Sequence, residues 1–152
     1  SLTGGLSLSK EKNAVNICYE HAKPILKFLF KKYDSRHKDD SALNSYPFTP
    51  HHLYPDLGED LVKLIEVIKV KHQLKETNQT VLETILNGFV KNELLKCDDR
   101  VAFNFTPRGY KFAMKYSNIF RYLWKYHPAT LWAALSCVIA SIGVVVTLAT
   151  QG

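Results

Sequence analysis

The apolar residues of this chain recur at helical spacing in three segments, residues 13–33, 58–73 and 77–95. A spacing close to 3.6 residues is typical of helices that bury one face against a core. Residues 1–12 lack this periodicity and are expected to form a flexible leader. The pattern therefore predicts a mainly α-helical domain.

Two further elements are predicted between these helices and residue 128. Residues 101–105 alternate weakly between apolar and polar and predict a short strand, whereas residues 34–50 have the composition of a loop. The segment that follows the strand predicts one long amphipathic helix, which ends in a kink at Pro128. We expect a helical domain over residues 13–107 and a linker helix over residues 108–128.

The run Ala129–Thr150 contains 22 residues and no charge. As an α-helix it would be about 33 Å long, which is the thickness of a bilayer hydrocarbon core. Its polar members are small hydroxyl residues, which can hydrogen-bond to the preceding turn. Core helices of soluble proteins usually carry a polar face over this length, so the run predicts a transmembrane helix at residues 129–150. The side chains expected in the lipid or at its interface are Trp124, Tyr126, Trp132, Leu135, Val138, Ile139, Ile142 and Val145.

Small side chains recur on one face of this predicted span. They are Ser136, Ala140, Gly143 and Thr147. Small residues let membrane helices approach closely, so this face predicts self-association into a homo-oligomer. Such an assembly would present a narrow polar seam, which is compatible with a pore.

Charge is unevenly distributed along the 152-residue chain. Residues 39–99 hold 11 of the 14 acidic residues but only 6 of the 20 basic ones, whereas residues 100–152 hold 6 basic residues and no acidic one. Basic residues that precede a span attract anionic lipid headgroups and stay in the cytoplasm. The predicted lipid contacts are Lys111, Lys115, Arg121 and Lys125. We therefore expect the helical domain to face the cytosol from the cytoplasmic (inner) membrane.

The apolar run is followed by Gln151 and Gly152 alone in the given sequence. A span in that position leaves the ribosome only after synthesis has finished. The expected layout is that of a tail-anchored membrane protein.

Two consecutive stretches carry a resemblance to a known family. The third predicted helix reads QTVLETILNGFVKNELLK and ends in a leucine pair, and VAFNFTPRGYKFA then opens another helix with Thr-Pro-Arg-Gly. This order resembles the winged-helix family over about residues 24–115. The resemblance implies three helices followed by a β-hairpin wing. A plain helical bundle is the alternative architecture.

Winged-helix proteins that bind DNA place the third helix in the major groove, so the resemblance implies DNA binding. The outward positions of this predicted helix are instead polar and slightly acidic: Gln79, Glu83, Thr84, Asn87, Lys91 and Glu93. The first five are the candidate partner contacts. Affinity for duplex DNA depends mainly on Lys and Arg, and Asp98 and Asp99 in the expected wing would repel phosphates. The pattern favours a protein as the partner of this helix over nucleic acid.

No combination of residues indicates catalysis. His51, His52 and Asp56 form the densest group of metal-binding side chains, but their spacing matches no zinc motif and no cysteine lies nearby. The chain contains neither a nucleophile motif nor a glycine-rich phosphate loop. We expect no enzyme activity, no metal and no cofactor.

The predicted function is that of a non-enzymatic membrane protein. Its cytosolic domain would bind a protein partner or a second copy and signal through the linker helix to the span. One form of this hypothesis is a membrane-perturbing effector or toxin of a bacterial antiviral defence module. The alternatives are a membrane-tethered winged-helix transcription regulator and a small subunit of a larger membrane complex.

Overall fold

The computed structural model describes residues 23–152. The predicted leader and the first part of the first predicted helix lie outside the described residues. The chain divides into two compact units, the first ending at Ser117 and the second covering Asn118–Gly152. Each unit is described by itself.

Helices make up most of the described chain, which confirms the mainly α prediction. In the first unit they are α1 (residues 23–34), α2 (Pro50–Leu53), α3 (Glu59–Lys71), α4 (Asn78–Lys91) and α5 (Pro107–Ser117). Two strands, β1 (Leu95–Cys97) and β2 (Phe103–Phe105), lie between α4 and α5. The second unit contains α6 (Ile119–Tyr126) and α7 (Pro128–Gln151).

The helices α3 and α4 end in the same way. At the end of α4, Leu94 N–H donates to Phe89 O at 2.9 Å and Glu93 N–H donates to Val90 O at 3.0 Å. Glu93 occupies the left-handed region, with a φ of 60°. This Schellman arrangement stops the helix before the leucine pair. The prediction that the helix continues to Leu95 is therefore wrong by four residues.

Leu95 instead begins a strand that the sequence analysis missed. In the antiparallel pair β1–β2, Leu95 lies opposite Phe105 and Cys97 lies opposite Phe103. Phe48 extends this hairpin on its other side through an antiparallel bridge to Phe103, with N···O distances of 2.6 and 2.8 Å. The pairing partner of Leu95 is ten residues away, which helical periodicity does not reveal.

An aromatic cluster lies at the centre of the first unit. The ring of Tyr33, which is fully buried, lies 5.5 Å from the ring of Tyr110 and 6.2 Å from that of Phe105. The Tyr33 hydroxyl donates to Asp39 O at 2.6 Å and accepts from Ala42 N–H at 3.2 Å. These contacts join α1, β2, α5 and the loop after α1 into one core.

The predicted linker helix over residues 108–128 is wrong in two respects. The backbone leaves the helical region at Asn118, whose side chain accepts from Arg121 N–H and begins a new helix. The part before Asn118 is α5, whose Tyr110, Ala113 and Met114 are buried in the first unit. The core of the first unit thus includes α5, and the domain extends to residue 117 rather than 107.

Candidate membrane helix and partner-binding face

The helix α7 is long and apolar enough to cross a membrane. It has 24 residues, and its most apolar 18-residue stretch has a mean hydropathy of 2.3 and is 6% buried. A core helix of a soluble protein would be mostly buried instead. The helix bounds agree with the run predicted over residues 129–150. All the predicted lipid-facing residues of this helix are exposed: Trp132, Leu135, Val138, Ile139, Ile142 and Val145.

The hydroxyl groups of α7 bond within the helix. Ser136 Oγ donates to Trp132 O at 2.8 Å, and Thr147 Oγ1 donates to Gly143 O at 2.8 Å. Ser141 Oγ makes the same bond to Cys137 O. Because these donors are satisfied internally, they add little to the cost of placing α7 in hydrocarbon.

The face predicted to self-associate is exposed within residues 23–152. Ser136, Ala140, Gly143 and Thr147 are exposed and follow a spacing that places them on one side of α7. A Cβ added at Gly143 would meet nothing within 4 Å. The backbone of α7 is thus accessible to a second helix at this point.

Aromatic side chains surround the turn between α6 and α7. The rings of Trp124 and Trp132 lie 6.0 Å apart, and those of Tyr122 and Tyr126 lie 5.5 Å apart. Tyr122 Oη lies 3.2 Å from His127 Nε2. The break between the helices at Pro128 is confirmed, since His127 has a φ of −138° and a ψ of 57°.

The four predicted lipid-binding cations do not share one helix. Lys111 and Lys115 belong to α5 in the first unit, while Arg121 and Lys125 belong to α6 in the second. The prediction assumed one continuous helix, which the break at Asn118 rules out.

The outward face of α4 is polar, as the sequence predicted. Its opposite face supplies core residues such as Val81, Ile85 and Phe89. Four of the five predicted partner-contact residues, Gln79, Thr84, Asn87 and Lys91, are exposed, and Glu83 is half-buried. With one acidic and one basic residue among the five, this face has no net charge.

The hairpin turn between β1 and β2 is exposed and slightly acidic. It contains Asp98, Asp99 and Arg100, with Arg100 in the left-handed region at a φ of 61°. Val101 N–H donates to Asp99 O at 2.7 Å, which closes the turn tightly. The side chain of Val101 is 58% exposed.

A groove that the sequence analysis did not single out lies at the turn from α3 to α4. Its volume is about 680 Å³. Val70 in its wall is 81% exposed, and Lys69 Nζ donates to Asn78 Oδ1 at 3.0 Å across it. The signal was present in the sequence, because Val67 and Val70 fall outside the buried stripe of α3 that contains Ile65 and Ile68. The groove is lined by Glu66, Lys69, Val70, Gln73, Leu74, Lys75 and Asn78.

The histidine pair does not gather a metal site. The rings of His51 and His52 lie 5.5 Å apart and are exposed, and Asp56 forms an ion pair with Lys32 of α1. Among residues 23–152, no three His, Cys, Asp or Glu side chains lie together in a group that could hold a metal ion. Cys97 is half-buried and Cys137 is exposed on α7, and both are free thiols.

Comparisons with protein-family models, with curated proteins and with solved structures found no match for this chain.

Proposed function

We propose that this protein is a membrane-anchored, protein-binding module. In this proposal α7 crosses a bilayer, and the first unit binds a protein partner through the outward face of α4 and the adjoining hairpin turn. The observation that carries the proposal is α7 itself, a helix of 24 residues whose most apolar 18-residue stretch has a mean hydropathy of 2.3 and is only 6% buried within the described part of the chain. Exposing such a helix to water would be very costly.

For the first unit we propose a winged-helix arrangement. The order of its elements supports this. The three long helices α1, α3 and α4, with the four-residue α2 between the first two, precede the β1–β2 hairpin, and α5 follows it. The bridge from Phe48 to Phe103 adds a third strand position, between α1 and α2. In this arrangement α4 is the third helix and the turn at Asp98–Arg100 is the tip of the wing.

The charge of these two surfaces favours a protein partner over DNA. The α4 face is neutral, and the wing tip carries two carboxylates against one guanidinium. Phosphate neutralisation supplies most of the affinity of DNA-binding proteins, and neither surface provides it. A polar helix face with no net charge is instead suited to hydrogen bonding with a protein surface, and the exposed Val101 of the hairpin turn is suited to apolar contact.

We propose further that the first unit lies on the cytoplasmic side. Arg121 and Lys125 come just before α7, and no acidic residue follows Arg100. Basic residues at the end of a span remain cytoplasmic.

Membrane insertion is tested by placing two charges in the middle of α7. Ile139→Arg and Ile142→Arg should each raise the free energy of inserting α7 into the bilayer by about 3 kcal/mol. The double variant should therefore be extracted from membranes by alkaline carbonate, while the unaltered chain floats with the lipid. Val70→Arg adds a charge at an 81% exposed side chain of α3 and should leave flotation unchanged. If the unaltered chain remained monodisperse in the supernatant without detergent, the proposal would fail.

The binding face is tested by site-specific crosslinking in membranes of the native cell. A photoreactive group at Asn87 on α4 should form a discrete protein adduct, and Glu83→Lys should abolish it. The same group at Lys63, on α3, is the matched control. Tight binding of duplex DNA that weakens steeply with salt would favour the transcription regulator instead. If expression of the chain depolarised the cell membrane and this effect required α7, the protein would also be a membrane-perturbing effector.

A further inference from the structure

The short helix α6 has an apolar surface that the second unit leaves uncovered. None of its eight residues is buried. Phe120 is 71% exposed, Trp124 is 62% exposed and Ile119 is 45% exposed. An isolated helix of this length is only marginally stable in water, and exposing three large apolar side chains makes it less favourable still.

The side chains of α6 divide into separate faces. At about 100° per residue, Ile119, Phe120, Leu123 and Trp124 occupy an arc of about 140°. Arg121 and Lys125, four residues apart, project together from an adjacent side. An apolar face beside a cationic one is the pattern of helices that lie in the headgroup region of a membrane.

The apolar face of α6 continues into α7. The ring of Trp124 lies 6.0 Å from the ring of Trp132, which is in the first turn of α7 and 57% exposed. Both helices belong to the same unit. Tryptophan is enriched at the depth where hydrocarbon meets headgroups, so this pair marks the level at which α7 would enter the lipid.

The charge of this region is complementary to anionic lipid. From residue 100 onward the chain has six basic residues and no acidic one. A carboxylate that would repel phosphate headgroups is therefore absent from the sequence around α6. A basic residue at the membrane surface strengthens binding to anionic lipid by about five-fold.

We propose that α6 lies in the interface of a bilayer that contains anionic lipids, with Phe120 and Trp124 at the boundary of the acyl chains and with Arg121 and Lys125 among the phosphates. This inference rests on the proposed insertion of α7. It goes further, because it gives α6 a lipid-binding role of its own rather than that of a spacer between the first unit and the span.

The chain offers a direct test, because it contains only two tryptophans. Trp132→Phe leaves Trp124 as the reporter of α6, and Trp124→Phe leaves Trp132 as the reporter of α7. Each full-length variant is reconstituted into vesicles of phosphatidylcholine with or without phosphatidylglycerol. The measurements are the tryptophan emission maximum, quenching by acrylamide from water, and quenching by lipids brominated at different depths.

In vesicles with phosphatidylglycerol, Trp124 should emit at shorter wavelength than free tryptophan in buffer and be quenched several-fold less by acrylamide. Bromine near the glycerol end of the acyl chain should quench it more than bromine at the terminal methyl group. The double variant Arg121→Gln, Lys125→Gln should show the same Trp124 emission and quenching in anionic vesicles as in neutral ones. The control double variant Lys63→Gln, Lys71→Gln removes the same charge from α3. Its Trp124 should still be better protected in anionic vesicles than in neutral ones.

Each contrary result has a distinct meaning. If Trp132 is protected but Trp124 is quenched as in water, α7 is inserted and the inference about α6 is wrong. If neither acrylamide nor brominated lipid quenches Trp124, a protein surface such as a second copy covers α6, which also overturns the inference. If both tryptophans behave as in water, the proposed membrane insertion fails as well.

Discussion

Gly109, in the first turn of α5, lies directly against the main chain of Leu94, so closely that a Cβ on Gly109 would overlap the Leu94 carbonyl oxygen. The hydroxyl of Thr106 reinforces this contact. It donates to Glu93 O and Leu94 O at 2.6 and 3.1 Å and accepts from Gly109 N–H at 2.9 Å. Arg108 adds an ion pair with Glu93 at 3.2 Å. The Thr-Pro-Arg-Gly sequence thus joins the start of α5 to the end of α4.

Gly109→Ala should displace α5, because backbone atoms of Leu94 cannot move aside as a flexible side chain would. We expect a loss of about 1–3 kcal/mol in the free energy of unfolding, as for other overpacked sites. Hydrogen exchange of α4 and α5 amides in the detergent-solubilised chain measures it. Gly58→Ala is the control, since a Cβ there meets nothing within 4 Å. Equal exchange in the two variants would show that the close contact is unimportant.

Gln73→Gly should stabilise the first unit. Gln73 ends α3 in the left-handed region, with a φ of 53°, and Leu74 N–H donates to Lys69 O at 2.9 Å behind it. A side chain in that conformation costs about 1 kcal/mol, which glycine avoids. Val70→Gly, three residues earlier and in the last turn of α3, should instead destabilise by about 0.3–0.5 kcal/mol, the difference in helix propensity between valine and glycine. The urea concentration at the midpoint of unfolding, followed by circular dichroism, should therefore rise for Gln73→Gly and fall for Val70→Gly.

Tyr33 should make the stability of the first unit depend on pH in alkaline solution. Burial raises the pKa of the Tyr33 phenol above its ordinary value, and the Asp39 and Asp40 carboxylates raise it further, against the lowering effect of the hydrogen bond from Ala42 N–H. Below a pH of about 10 the phenol is neutral in both the folded and the unfolded chain. Above it the unfolded chain ionises first, so the stabilisation is lost as pH rises.

Tyr33→Phe removes this group and tests the effect. At neutral pH the variant should be less stable by about 1–2 kcal/mol, since two hydrogen bonds are lost. The difference in free energy of unfolding between Tyr33→Phe and the unaltered chain should become smaller above a pH of about 10. Tyr46→Phe is the control, because its hydroxyl makes a long bond of 3.4 Å to Lys32 O. If this free-energy difference were the same at all pH values, ionisation of Tyr33 would not affect the stability of the first unit.

Gly143→Leu should weaken self-association of α7 in a membrane. A leucine there would fill the open position between Ala140 and Thr147 and hold two helices apart. Energy transfer between labelled copies in vesicles should fall, while Val144→Leu, off this face, should leave it unchanged. Equal energy transfer in both variants would show that the small-residue face does not mediate self-association.

The predicted helices around residues 58–73 and 77–95 were correct in kind because their apolar residues repeat at the period of a helix. Their ends were less accurate, since Gln73 and Glu93 adopt a conformation in which glycine is usual. The strand at Leu95 was missed for the same reason: with no glycine before it, the leucine pair continued the helical pattern.

The residue chemistry of the candidate sites was largely predictable, whereas their grouping was not. The polar face of α4 follows from helical spacing alone. Lys111 and Lys115 were grouped with Arg121 and Lys125 because the break at Asn118 was overlooked. An asparagine can cap a new helix or continue an old one, and neighbouring residues do not decide between the two.

The helical character of the chain and its one long charge-free helix follow from the amino-acid sequence alone, because periodicity and the absence of charge are properties of neighbouring residues. The pairing of β1 with β2, the bridge from Phe48 and the place of α5 in the core become evident only in the folded chain. Those features depend on Leu95 meeting Phe105 and on Gly109 meeting Leu94, contacts between residues that are distant along the chain and become neighbours only when it folds.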